Sequence, residues 1–154
     1  MYRSGDIGFA IGKSELSKTI TAVAGKFSHT FQFIEIGGVL CVFDAQIEGC
    51  YPMEFGNWMN KFGYEIVVLR SLKTDPNFTR NCVHYFGIKY DVKGLGVGLF
   101  RSLLRCKNMH EKFRDNGKFW CFELTARLLH FPCPENWNGE QIYAQLIKKG
   151  YKKV

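Results

Sequence analysis

His29-Thr-Phe-Gln-Phe-Ile-Glu-Ile-Gly-Gly-Val-Leu-Cys-Val-Phe-Asp-Ala-Gln46 is the stretch on which the fold turns. Two runs rich in β-branched and aromatic residues, His29 to Ile36 and Val39 to Gln46, flank Gly37-Gly38. Glycine takes positive φ at no steric cost, so a glycine pair between two such runs predicts a two-residue hairpin. The register follows from the turn. Ile36 opposes Val39, and counting back, Phe31 opposes Asp44 and His29 opposes Gln46. Directly opposed residues and their diagonal neighbours share a face of the sheet. His29, Asp44 and Gln46 are therefore expected on one face, at the open end of the hairpin.

Working outward, Asp6 to Ile11 reads as a strand entered through Gly5. Ser14 to Ala24 reads as a helix, with Ser14 as its cap and Leu16, Ile20, Val23 and Ala24 on one face; Gly25 ends it. Pro52 to Phe62 has a helical pattern, and Tyr64 to Leu72 reads as another long strand. A helix is expected to start at Asp75-Pro76, with Asp75 as cap, and to run to about Phe86. Gly94 to Gly98 forms a glycine-rich loop, followed by a short helix from Leu99 to Arg105 and a polar, irregular segment from Lys107 to Lys118. Phe119 to His130 reads as a buried helix that opens near Cys121 and is stopped by Pro132 and Pro134. A last helix spans Gly139 to Lys149, capped by Asn138. Strands and helices in mixed order, with a hairpin among them, favour an α+β fold over regular α/β alternation.

The length of 154 residues fits a single domain, 1–154. Hydrophobic residues make up 46% of the chain and include 14 phenylalanines, enough for a core that needs no staples. The net charge of +7 raises nucleic acid, anionic membrane and acidic substrates as partners. The basic residues are scattered, however, except for Lys148, Lys149, Lys152 and Lys153. That cluster reads as a solvated helix end stabilised by the helix dipole, and nucleic acid is not an expected partner. The cysteines Cys41, Cys50, Cys82, Cys106, Cys121 and Cys133 show no C-x-x-C pair of a zinc site. Met1-Tyr-Arg-Ser-Gly-Asp6 holds no apolar run of the signal-peptide kind, and no stretch approaches the roughly 20 apolar residues of a membrane span. A cytoplasmic chain with reduced cysteines is the expectation. In that setting the sequon Asn77-Phe78-Thr79 has no role.

Among the cysteines, Cys121 stands out by position. It follows a loop and opens the apolar helix Cys-Phe-Glu-Leu-Thr-Ala-Arg-Leu-Leu. Free amides and the dipole at a helix start stabilise a thiolate, the form that attacks carbonyls. The same amides can receive an oxyanion. The competing interpretation is a small buried hydrophobe, as most free cysteines are. A thiol nucleophile needs a base. His84 and His110 sit in polar segments, and His130 at a helix C-terminus has a capping position. His29 differs because Asp44 and Gln46 face it, and an imidazole beside a carboxylate or amide is the base-and-orienter half of a catalytic triad. Two further patterns fail. Gly25-Lys26-Phe27-Ser28 lacks the first glycine of a phosphate loop, Ile20 standing in its place. Gly94-Leu95-Gly96-Val97-Gly98 lacks the spacing of a dinucleotide fingerprint.

These segments, in this order, resemble the circularly permuted papain-like hydrolases: the NlpC-like superfamily, its YiiX-like branch, related to lecithin:retinol acyltransferase. Gly5-Asp6-Ile7 is similar to the family's opening Gly-Asp-Ile. Phe27-Ser28-His29-Thr30 is similar to the Ser-His-Val motif that carries the base. Val42-Phe43-Asp44-Ala45 matches the strand bearing the third polar residue. Gly87-Ile88-Lys89-Tyr90-Asp91 resembles Gly-Lys-Pro-Tyr-Asp, and Trp120-Cys121-Phe122-Glu123-Leu124 resembles Tyr-Cys-Ser-Glu-Leu. The likeness runs from Gly5 to about Leu129, with base first and cysteine last. Three positions depart: Phe122 replaces a serine, Thr30 an apolar residue, and Asp44 stands where Glu or His is commoner.

The resemblance implies an antiparallel sheet packed on a core helix that carries the cysteine. It implies cleavage of an amide (peptide or isopeptide) or ester, with Cys121 as nucleophile, His29 as base and Asp44 as orienter. Gln46 is the alternative orienter. The Cys121 amide, with Tyr90, would hold the oxyanion. No metal or organic cofactor is implied, and the substrate would be a peptide, a cell-wall-type molecule or an acyl lipid. An inactive binding module on the same fold, and a lipid acyltransferase or thioesterase using the same nucleophile, are the rival outcomes.

Overall fold

The computed structural model describes residues 1–73, 75–92 and 118–154. Six strands form one sheet: β1 (Ile7–Ile11), β2 (His29–Ile36), β3 (Val39–Gln46), β4 (Gly49–Glu54), β5 (Glu65–Arg70) and β6 (Lys152–Lys153). Their order is β4-β3-β2-β1-β5-β6, with every neighbouring pair antiparallel. Among the described residues the full helices are α1 (Glu15–Ala24), α2 (Phe55–Phe62), α3 (Phe78–Val83), α4 (Cys121–Leu128) and α5 (Gly139–Lys148), with a 3-10 turn at Pro134–Asn136. The architecture is α+β. The glycine-rich loop, the helix at Leu99–Arg105, the segment from Lys107 and the residues Cys106 and His110 lie outside the described residues.

The hairpin forms with both strand limits as expected. Gly37 and Gly38 take φ of 60° and 80°, and the register runs from Ile36↔Val39 to Gln32↔Phe43. Strand alternation divides the core in two. Ile7, Phe9, Ile34, Cys41, Phe43 and Ala45 face one layer, with α4 and α5. Ala10, Phe31, Phe33, Val42 and Val68 face the other, with Trp58 of α2. Gly8 opposes Phe31 in the β1–β2 pair, and a Cβ there would lie 2.0 Å from the ring. Glycine at this position is what lets Phe31 lie flat across β1.

α4 is the central helix, buried at Cys121 to Ala126 and at Leu128. Its one buried acid, Glu123, pairs with Arg127 at 2.8 Å, so no charge is left uncompensated there. α5 starts as the sequence predicts, on a capping box in which Asn138 accepts from the Gln141 amide and Gln141 from the Asn138 amide. Among the described residues, no helix is long and apolar enough to cross a membrane.

Several elements differ from expectation. Gly49–Glu54 is the edge strand β4, and the helix begins only at Phe55. Pro52 misleads because it looks like a helix start, yet an edge strand tolerates its missing N–H. α3 begins at Phe78 rather than at Pro76; Asp75 still accepts from the Asn77 amide, but it caps a turn. In α1, Ile20 is buried as expected and Ser17 is buried with it, whereas Leu16 is exposed. Of the four terminal lysines, Lys148 ends α5 and Lys149 caps it, whereas Lys152 and Lys153 form β6 against Arg70 and Leu69.

Candidate active site

β2 begins at His29, and β3 carries Asp44 close by in the neighbouring strand. His29 Nε2 lies 2.8 Å from Asp44 Oδ2, with both side chains almost wholly buried. The same carboxylate oxygen accepts from Gln46 Nε2 and, at 3.1 Å, from Trp58 Nε1. Three donors on one oxygen leave the carboxylate a single orientation, aimed at the imidazole. Asp44 is thus the residue in contact with His29, and Gln46 braces Asp44. With Nε2 bound to a carboxylate, the Nδ1 atom is the ring nitrogen left to take up a proton.

Cys121 opens α4 beyond the same end of β2. Trp120 precedes it in extended conformation and provides no side-chain cap for the start of the helix. Cys121 lies close enough to His29 to act on its charge. The effect on the imidazole is large. Burial alone would push His29 down, but the neighbouring Cys121 charge and its hydrogen bonding to Asp44 and Cys121 more than reverse it. His29 is held well above its usual 6.5. The Tyr64 ring lies tilted near this one, 6.0 Å between centroids, and burial raises its phenol too.

Tyr90 reaches the site from a different segment. It forms a parallel bridge with Phe119, two residues ahead of Cys121, held by Asp91 N to Phe119 O at 3.1 Å. Its phenol lies beside Cys121. Its pKa stands well above the usual 10, first through burial and then through the Cys121 charge beside it, with the Cys121 backbone acting in the opposite direction.

The other described cysteines, Cys41, Cys50, Cys82 and Cys133, are free. Burial, with Asp44 and Asp75 respectively, pushes the Cys50 and Cys82 thiols up to about 12. Burial and Glu54 raise Cys41 as well. His84 and His130 line surface cavities away from this cluster. The structure therefore gathers His29, Asp44, Gln46, Tyr90 and Cys121, the five residues singled out in the sequence. Trp58 and Tyr64 join them unannounced. A buried indole N–H needs an acceptor, so Trp58, an apolar-face residue of α2, could have been flagged as seeking one.

Among the described residues, no three His, Cys, Asp or Glu side chains converge as a metal ion requires. The site is that of an α+β protein whose central helix sets a cysteine against a buried histidine–carboxylate pair on an antiparallel sheet. No family model matches the chain, and no curated protein does. A solved structure does share its fold: that of the metalloprotein YiiX from Escherichia coli O157:H7, at a TM-score of 0.52 and 21% identity over 68% of each chain. The chain has a YiiX-like fold.

Proposed function

We propose that the chain is a cysteine hydrolase of the permuted papain-like kind, cleaving an amide or ester bond. The observation that carries this reading is the His29–Asp44 pair at 2.8 Å, buried, with Cys121 at a helix start against the imidazole. Cys121 gives its thiol proton to His29, and its Sγ attacks the carbonyl carbon, forming the S–C bond, while the carbonyl π electrons move to oxygen. The Cys121 amide and the Tyr90 hydroxyl would receive that oxyanion. His29 gives its proton to the departing amine or alcohol, and the C–N or C–O bond breaks to leave a thioester. Water, deprotonated by His29, then cleaves the thioester, and the proton returns to the Cys121–His29 pair. Asp44 keeps the imidazole oriented and stabilises its charged form. The metal of YiiX is not carried into this mechanism, because the described residues offer no ligand cluster for one.

The test is a panel of activated peptide amides, isopeptides and acyl esters, run with the wild type and with Cys121→Ala. Cleavage by the wild type with formation of an acyl-enzyme, absent in the variant, is the expected result. Activity in Cys121→Ala equal to wild type would overturn the reading.

A further inference from the structure

The interface between α4 and β2 contains a polar seam inside an otherwise apolar core. Thr30 Oγ1 lies 3.1 Å from the Cys121 carbonyl oxygen and 2.8 Å from Thr125 Oγ1. Thr125 Oγ1 is 3.0 Å from the same carbonyl, one turn back along α4. Gln32 Nε2 donates to Thr125 Oγ1 at 2.6 Å. Thr30 is 1% exposed, and Gln32 and Thr125 are wholly buried. The Gln32 Oε1 atom has no partner. A core carbonyl left without a donor costs on the order of 1–3 kcal/mol. A half-satisfied buried network is a poor source of stability compared with apolar side chains of the same shape. Its location suggests what it provides instead. Both hydroxyls converge on the carbonyl of Cys121 itself, and Thr30 is the residue next to His29.

We propose that Thr30, Gln32 and Thr125 are positioning residues, a seam that holds the first turn of α4 in register with β2 and so sets Cys121 against His29. The inference rests on the hydrolase reading above, in which that separation matters. Hydroxyls at 30 and 125 tie the nucleophile's own backbone to the strand bearing the base, across 91 and 95 residues of sequence. Valine at these positions would fill the same space without specifying the register, since apolar contact is non-directional.

The experiment compares the wild type with Thr30→Val/Gln32→Leu/Thr125→Val and with Thr30→Ser/Thr125→Ser, which keeps both hydroxyls. Three measurements are made: urea midpoint, second-order rate of Cys121 alkylation by iodoacetamide, and the NMR titration of His29. The groups that bear on that titration are Asp44, Cys121 and Tyr64. The apolar variant is expected to be at least as stable as the wild type. Its Cys121 should react about tenfold more slowly, and the His29 midpoint should fall toward that of Cys121→Ala. The serine variant should resemble the wild type in rate and midpoint. Should the triple variant fail to fold, Thr125→Val against Thr125→Ser gives the same comparison. A stable apolar variant with unchanged rate and His29 midpoint would overturn the seam alone. A wild type whose His29 titrates as it does in Cys121→Ala, and whose Cys121 reacts no faster than Cys133, would overturn the hydrolase reading and the seam's role with it.

Discussion

Asp44 Oδ2 is the most heavily bonded atom of the site, and the roles of its neighbours follow from that. Direct cross-strand neighbours are closer than diagonal ones, so the count along the hairpin favours Gln46 as partner of His29. Packing places the carboxylate between them instead, and a carboxylate also stabilises the imidazolium where an amide would only orient it. Asp44→Asn is expected to lower kcat at least about tenfold, or about 1.4 kcal/mol of transition-state stabilisation. Gln46→Ala should cost less, because Trp58 still holds Asp44. Steady-state kinetics on one substrate, with folding checked by circular dichroism, ranks the two; the reverse order would transfer the orienting role to Gln46.

The raised pKa of His29 has a thermodynamic consequence. The folded state keeps the imidazole protonated to higher pH than the unfolded chain, whose histidine titrates near 6.5. Between 6.5 and the folded value the native state binds more protons than the unfolded one. Stability from this group is therefore fully present below 6.5 and is lost as pH rises through the folded pKa. Urea midpoints of the wild type should decline across that window relative to those of His29→Gln. Parallel curves for the two proteins would refute the raised value.

At the scale of elements, the β1–β2 pair depends on a residue without a side chain. Gly8 carries the Phe31 ring across its backbone, and the ring also meets Phe33 and Trp58 at centroid distances of 5.4 and 4.5 Å. Gly8→Ala would drive Phe31 toward Trp58, whose N–H holds Asp44. Overpacking of this kind costs about 1–3 kcal/mol. A thermal melt of Gly8→Ala should show that loss, and a variant as stable as the wild type would mean that the ring moves freely. β4 teaches a related lesson. Its Cys50–Tyr51–Pro52 run pairs with Phe43–Asp44–Ala45 and covers the strand that bears Asp44. An edge strand with a proline carries little periodic signal of its own, and its state was set by the partner strand.

For the molecule as a whole, the cysteines form a built-in control. Cys50 and Cys82, with thiols near 12, should stay silent toward iodoacetamide at neutral pH. Cys133 is exposed. Cys121 is 1% exposed, so the probe must be small, but it alone among the described cysteines lies against an imidazole. Peptide mapping of a timed reaction at pH 7.5 should find Cys121 modified first, Cys133 next, and Cys50 and Cys82 only after unfolding. Labelling of Cys133 ahead of Cys121 would count against a reactive pair.

What the sequence alone determined is local. The glycine pair set the hairpin and its register, because a two-residue turn allows few backbone solutions. Ser14 and Asn138 marked two helix starts, since each side chain bonds an amide three residues on. The helix opening at Cys121, and the shared face of His29, Asp44 and Gln46, follow from the same short-range geometry. What only the tertiary structure decided is the meeting of distant parts: which polar residue touches His29, the Trp58 brace on Asp44, the edge pairing of β4, and the seam from Thr30 to Thr125. Each of these is chosen by how apolar faces pack and by which buried donor finds an acceptor. Those choices involve many side chains at once, so no short window of sequence contains them.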